Sequence, residues 1–146
     1  MSQMPIITQL TPELYCSNFQ MSLHFYTQIL GFSIQYAREE EGFVMLERQG
    51  SRIMLEEVPG HCGQKRIWLS GLLDHPYGRG VNFEIRTIGI EQLYEHIQKS
   101  GVELFLPIED KWYRAGDAEL GNRQFIVLDP DGYMLRFAQY LGKRDY

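Results

Sequence analysis

"LDPDGYMLRF", residues 128–137, decides how this chain folds. Asp129-Pro130-Asp131-Gly132 is a turn written in residue types. Pro130 presets φ, the aspartates bond nearby backbone N–H groups, and Gly132 tolerates φ > 0. Strand-forming runs flank it, residues 125–128 before and 133–137 after, so the stretch predicts a β-hairpin. Alternation puts Tyr133, Leu135 and Phe137 on one face and Met134, Arg136 and Ala138 on the other. The first set is bulkier and more apolar, and is expected to form core against helices. Arg136 then belongs to the opposite face, which is either ordinary surface or the lining of a cavity that uses a cation.

Working outward, residues 19–30 predict a helix, capped by Asn18 or Ser17, with Leu23, Tyr26 and Leu30 as its apolar stripe. Gly31 ends it. A first strand is expected over 6–16, broken near Pro12, and three more over 32–37, 43–48 and 52–58. Residues 59–79 read as a connector with a short element around Ile67-Trp68-Leu69; five glycines and two prolines fall between 59 and 80. The order then restarts with a strand over 80–87 and an amphipathic helix over 90–100, with Leu93, Ile97 and Tyr94 or Ile90 inward. Gly101 ends that helix. Strands are expected at 102–106, 111–115, 123–129 and 133–139, with 116–122 as a polar turn. The fold class is therefore α+β. Two βαβββ modules, at about 5–58 and about 80–140, are expected to form a curved mixed sheet with helices on its convex side and a concave cup.

The totals agree with a single ordinary domain of 146 residues. A chain this long buries about 70% of its unfolded surface and needs no covalent staple. A net charge of −5 argues against nonspecific nucleic-acid binding and against anionic membrane surfaces. No run approaches the roughly 18 apolar residues of a membrane span, and the N-terminus lacks a signal-peptide pattern. Cys16 and Cys62 make no disulfide framework, so free thiols in a reducing cytoplasm are expected. No Ser-His-Asp or Cys-His arrangement and no phosphate loop has a local signature. His24 and His96 fall on helix surfaces. His61, His75 and Cys62 in the connector do not assemble the three or four ligands of a zinc site.

In this element order the chain resembles the vicinal-oxygen-chelate superfamily: glyoxalase I, extradiol dioxygenases, fosfomycin-resistance enzymes and bleomycin-resistance proteins. The residues that carry this are "SLHFYTQILGFSI" (22–34), "GVNFEI" (80–85), "LYEHIQKSGVEL" (93–104) and "RQFIVLDPDGYMLRF" (123–137). The resemblance implies four positions on the cup floor, where metal-dependent branches place His or Glu. Carried over one by one, they fall at about Thr11, near Met54, near Gly80, and on Arg136. None is a metal ligand, and a guanidinium offers no lone pair. A register shift of two residues would instead bring up Glu13 and Glu56, with Glu84 four residues beyond Gly80.

The pattern is most similar to the bleomycin-resistance branch. That implies a metal-free, cofactor-free homodimer, burying more than about 1,500 Å² in total, that sequesters a small-molecule ligand without reacting with it. The expected ligand contacts are Arg136, Trp68, Trp112, Tyr113, Met54 and Phe43. Trp68 and Trp112 either stack on a planar ligand or pack a domain or dimer interface. A metal-dependent glyoxalase- or dioxygenase-like enzyme and a metabolite-sensing accessory module are the alternatives.

Overall fold

The computed structural model describes residues 8–58 and 68–146. His61, Cys62 and the first residue of the expected connector element, Ile67, lie outside the described residues. The elements run β1 (Glu13–Cys16), α1 (Phe19–His24), β2 (Ser33–Arg38), β3 (Phe43–Arg48) and β4 (Ser51–Glu57), then β5 (Asn82–Arg86), α2 (Ile90–Lys99), β6 (Leu104–Ala115), β7 (Ala118–Leu128) and β8 (Met134–Asp145). They form two compact units: Met1–Arg79 with Pro130–Gly132, and Gly80–Asp129 with Tyr133–Tyr146. The strands make two separate four-stranded ladders, β1-β4-β3-β2 and β5-β8-β7-β6. In each the first strand of the unit lies parallel to the last, and the other pairs are antiparallel.

In the first unit, alternation sends Leu14, Cys16, Val44, Leu46, Ile53 and Leu55 to one buried face. The helical segment covers it with Phe19, Phe25, Tyr26 and Leu30. This departs from the expected stripe, because Leu23 is only half-buried and Phe25 takes its place. The cause is a change of pitch. Past His24 the backbone widens into a π-type turn over Phe25–Ile29, where the Leu30 N–H reaches the Phe25 carbonyl at 3.0 Å. The Thr27 hydroxyl donates to the Leu23 carbonyl at 2.6 Å and competes for the acceptor the α-helical ladder would use. In the second unit Ile90, Leu93 and Ile97 bury one face of α2, and Phe125, Val127, Leu135 and Phe137 supply the sheet side. Phe125 and Phe137 stack at 5.4 Å, and Tyr94 meets Phe125 at 5.2 Å.

The strands after α2 are longer than composition suggests. The expected strands at 102–106 and 111–115 are one strand, β6, interrupted by register shifts around Leu106. Pro107 sits there without harm because β6 is an edge strand. The expected polar turn at 116–122 shrinks to Gly116-Asp117, and β7 starts at Ala118. Cross-strand contacts stabilise these polar residues as strand: Arg144 bonds Glu119 at 2.6 Å, and Arg123 holds Asp110 at 2.8 Å and also Glu91 of α2. The hydrogen bonds from Arg123 hold both carboxyls below their usual range.

The DPDG turn forms as predicted. Asp129 and Tyr133 exchange two 2.9 Å bonds, one through the Asp129 side chain. Gly132 has φ +82°, and a Cβ there would lie 2.6 Å from Pro76, so both backbone and space demand glycine. Asp131 is fully buried. Its carboxylate accepts from the Ser17 N–H at 3.1 Å and hydroxyl at 2.6 Å, and from the Ser22 hydroxyl at 3.5 Å. His75 Nε2 stands 3.3 Å away. A buried carboxylate is tolerated only with such partners. Asp131→Ala should therefore destabilise the protein by about 1.5–3 kcal/mol, the range for bonds to charged groups, read as a lower urea midpoint at unchanged m-value.

Candidate functional site

Each sheet has a second face turned away from its helix, and the parallel pairs set what stands there. In the first unit Met54 lies opposite Glu13, and Glu56 opposite Tyr15. On the antiparallel side Met45 lies opposite Met54, and Phe43 opposite Glu56. Tyr36 and Arg38 follow from β2, opposite Met45 and Phe43. This face carries an open pocket of about 400 Å³ lined by Tyr15, Tyr36, Phe43 and Trp68, with Glu13, Glu56, Met54 and Arg38. The Trp68 backbone N–H donates to the Tyr15 hydroxyl at 2.9 Å. The Arg38 guanidinium lies 4.1 Å from the centre of the Phe43 ring, and Tyr36 and Phe43 meet at 6.0 Å. Glu41 bonds Arg38 at 2.7 Å and raises its pKa above the ordinary value.

In the second unit the same rule puts Arg136 opposite Glu84. Glu84 bridges two arginines, with Arg136 at 3.2 Å and Arg86 at 3.0 Å. Arg86 also donates to Asn122 at 2.9 Å. Gln124 is 2% exposed, although it is an amide in the middle of a strand. Its carbonyl faces Arg136 at 3.5 Å, and its NH₂ group donates to Glu109 at 3.1 Å and to the Tyr113 hydroxyl at 2.7 Å. One buried amide therefore orients a carboxylate, a phenol and a guanidinium.

Of the six ligand contacts expected from sequence, the structure gathers Met54, Phe43 and Trp68 in the first unit's pocket. It joins Arg136 to Tyr113 through Gln124 in the second unit. Trp112 stands on the opposite face of β6 from Tyr113, as alternation requires. Its ring covers Gly121, where an added Cβ would come within 2.8 Å, and Arg144 lies 4.2 Å over it. Tyr15, Tyr36 and Gln124 are not singled out by the sequence. Tyr15 could have been found two residues from Glu13 on the same strand face. Gln124 had a fainter signal, a lone amide at the head of the apolar run Phe125-Ile126-Val127-Leu128.

Two carried-over positions need correction. Thr11 precedes β1, whose ladder opens where the Pro12 carbonyl accepts from the Met54 N–H at 2.9 Å; proline can accept there but has no N–H to donate. Gly80 has φ +85° and lies outside β5, which begins at Asn82. The residues that face Met54 and Arg136 are Glu13 and Glu84. Neither pair suits a divalent metal. One couples a carboxylate to a thioether, and in the other the carboxylate already serves two guanidiniums. Among the described residues no three His, Cys, Asp or Glu side chains come together as a metal-binding group.

A family model described as Glyoxalase/Bleomycin resistance protein/Dioxygenase superfamily matches residues 6–137. A superfamily member from Vibrio splendidus 12B01 is 36% identical over 87% of this chain and 94% of its own, with a TM-score of 0.38. VPC_CASS1, from the mobile metagenome of V. pseudocholerae, is 18% identical over 97% of this chain and all of its own, with a TM-score of 0.68. TioX from Micromonospora sp. ML1 is 15% identical over 92% and 99%, with a TM-score of 0.69. No curated protein matches. Within the second unit, Gln124→Leu should cost about 0.5–1.5 kcal/mol, the net worth of an ordinary hydrogen bond, because its partners Glu109 and Tyr113 are exposed and can turn to water. Arg136→Met should cost less in the same denaturant titration, since Glu84 keeps Arg86.

Proposed function

The chain belongs to the Glyoxalase/Bleomycin resistance protein/Dioxygenase superfamily, and from that premise we propose that it is a binding protein that captures a small molecule reversibly and returns it unchanged. The observation that carries this reading is the first unit's pocket, about 400 Å³ and walled by aromatic rings, within the size range of small-molecule sites. Affinity comes from burying flat apolar surface against Tyr15, Tyr36, Phe43 and Trp68. In the second unit, considered by itself, Gln124 holds Arg136 and Tyr113 as a separate group of hydrogen-bonding side chains. The Glu84–Arg136 pair supports a metal-free mechanism, because a guanidinium adjoins the carboxylate at that position.

In this reading the protein acts by lowering the free concentration of its ligand, as resistance by sequestration requires. It does so in the cytoplasm, where Cys16 remains a thiol. The test is to titrate purified protein with a library of aromatic compounds by thermal shift, then recover any hit after denaturation. Saturable stabilisation with chemically unchanged ligand is expected. Conversion of the ligand, or near-stoichiometric transition metal lost together with an activity on chelation, would refute it.

We also propose a two-fold homodimer. Among the described residues, β2 and β6 are edge strands and leave Ile34 48%, Tyr36 45% and Phe105 57% exposed, a combination that proteins usually cover. Light scattering at micromolar concentration should give twice the mass of the 17.1 kDa chain. A monomer mass there would remove the proposal.

A further inference from the structure

We infer that the open face of the second unit is a site for a carboxylate, which a small molecule presents to Tyr113, Asn122 and Arg86. The inference concerns this unit alone and does not rest on capture in the first unit's pocket. It comes from the direction of each hydrogen bond. A guanidinium only donates and a carboxylate only accepts. Gln124 stands between one of each. Its carbonyl takes Arg136 at 3.5 Å, so its NH₂ group serves Glu109 at 3.1 Å and the Tyr113 hydroxyl at 2.7 Å. Turning the amide over would set donor against donor at Arg136 and acceptor against acceptor at Glu109. The Tyr113 oxygen therefore accepts, and its own hydrogen points elsewhere. Tyr113 is 39% exposed, and among the described residues none accepts that hydrogen.

The same ordering holds at the next rung of the ladder. Arg86 gives Nε to Glu84 at 3.0 Å and Nη1 to the Asn122 carbonyl at 2.9 Å. That leaves the Asn122 NH₂ group and Arg86 Nη2 as donors. Glu84 is committed on both oxygens, Oε1 to Arg86 and Oε2 to Arg136. Asn122 and Gln124 stand two residues apart on one face of β7, roughly 7 Å. The Tyr113 hydroxyl at Gln124 and the Arg86 guanidinium at Asn122 are therefore within reach of one small ligand. Lys111, opposite Asn122, adds a cation to this face. The acceptor left over is the second oxygen of Glu109, on the edge strand β6. A patch of donors fits a ligand that accepts. A carboxylate fits best, because bonds between charged groups are roughly twice as strong as neutral ones. Tyr140, opposite Asn122 and 53% exposed, offers a flat surface to the ligand's apolar body.

The test is an NMR titration of the full chain with benzoate, benzamide and benzylammonium at fixed ionic strength. Binding is read on the assigned side-chain NH₂ resonances of Asn122 and Gln124, which report on this face. Benzoate should shift both saturably and bind at least about tenfold more tightly than benzamide, the margin of about one charge-assisted bond. Benzylammonium should leave them in place. Added salt should weaken benzoate. Tyr113→Phe removes the outward hydroxyl alone and should weaken benzoate about three- to tenfold, the fold-change of one ordinary hydrogen bond. Arg86→Gln should narrow the margin of benzoate over benzamide. No saturable shift with benzoate, equal affinities for benzoate and benzamide, or benzylammonium binding best would overturn the inference. So would an unchanged benzoate affinity in Tyr113→Phe, or an unchanged margin in Arg86→Gln. Should Arg86→Gln fail to fold, the salt series on the unaltered chain decides the same question, and a benzoate affinity indifferent to salt overturns the inference.

Discussion

Each unit of this chain is closed by one parallel strand pair, β1 beside β4 and β5 beside β8. Parallel neighbours cannot be joined by a tight turn. The intervening helix and antiparallel strands form the crossover that brings the last strand of each unit back beside the first. That closing pair fixes the register of the sheet. A slip of one residue would move Leu14 and Leu55 out of the core and Glu13 and Met54 into it. The apolar cost of that exchange holds the register, and the register in turn decides which side chains become neighbours on each open face.

The same constraint makes the open faces chemically specific. Around Arg136 the polar groups are close together, Gln124 and Asn122 are buried, and each meets the next: Glu109, Gln124, Arg136, Glu84, Arg86, Asn122. Such a chain orients its members through mutual hydrogen bonding. It contributes little to a metal's needs and much to the placement of donors. The first unit's face is built otherwise, from aromatic rings and two carboxylates around an open pocket. Two sheets of equal strand order thus carry different chemistry, because fold and site are separate properties.

Asp131 shows how a turn motif acquires a structural role beyond turning. Asp129 and Gly132 satisfy the local geometry of the hairpin. Asp131 instead meets Ser17, Ser22 and His75, all distant in sequence. A loop carboxylate becomes a buried acceptor for the entry to α1. Nothing in the tetrapeptide distinguishes these two aspartates; only the partners they meet do so.

What was legible from residues alone followed from short-range rules. Alternation along 133–137 separated the core set from Arg136, turn chemistry placed the hairpin, and helix-ending glycines marked both helices. Those rules depend on backbone geometry that neighbouring residues set among themselves. Tertiary structure alone decided where polar composition was stabilised by a distant partner, as in residues 118–122 of β7, and where strands from opposite ends of a unit came into register. Glu13 meets Met54, and Glu84 meets Arg136, across gaps of 41 and 52 residues. No local preference encodes such a pairing, because its energy comes from burying the opposite face of the sheet, and that burial exists only once the strands have assembled.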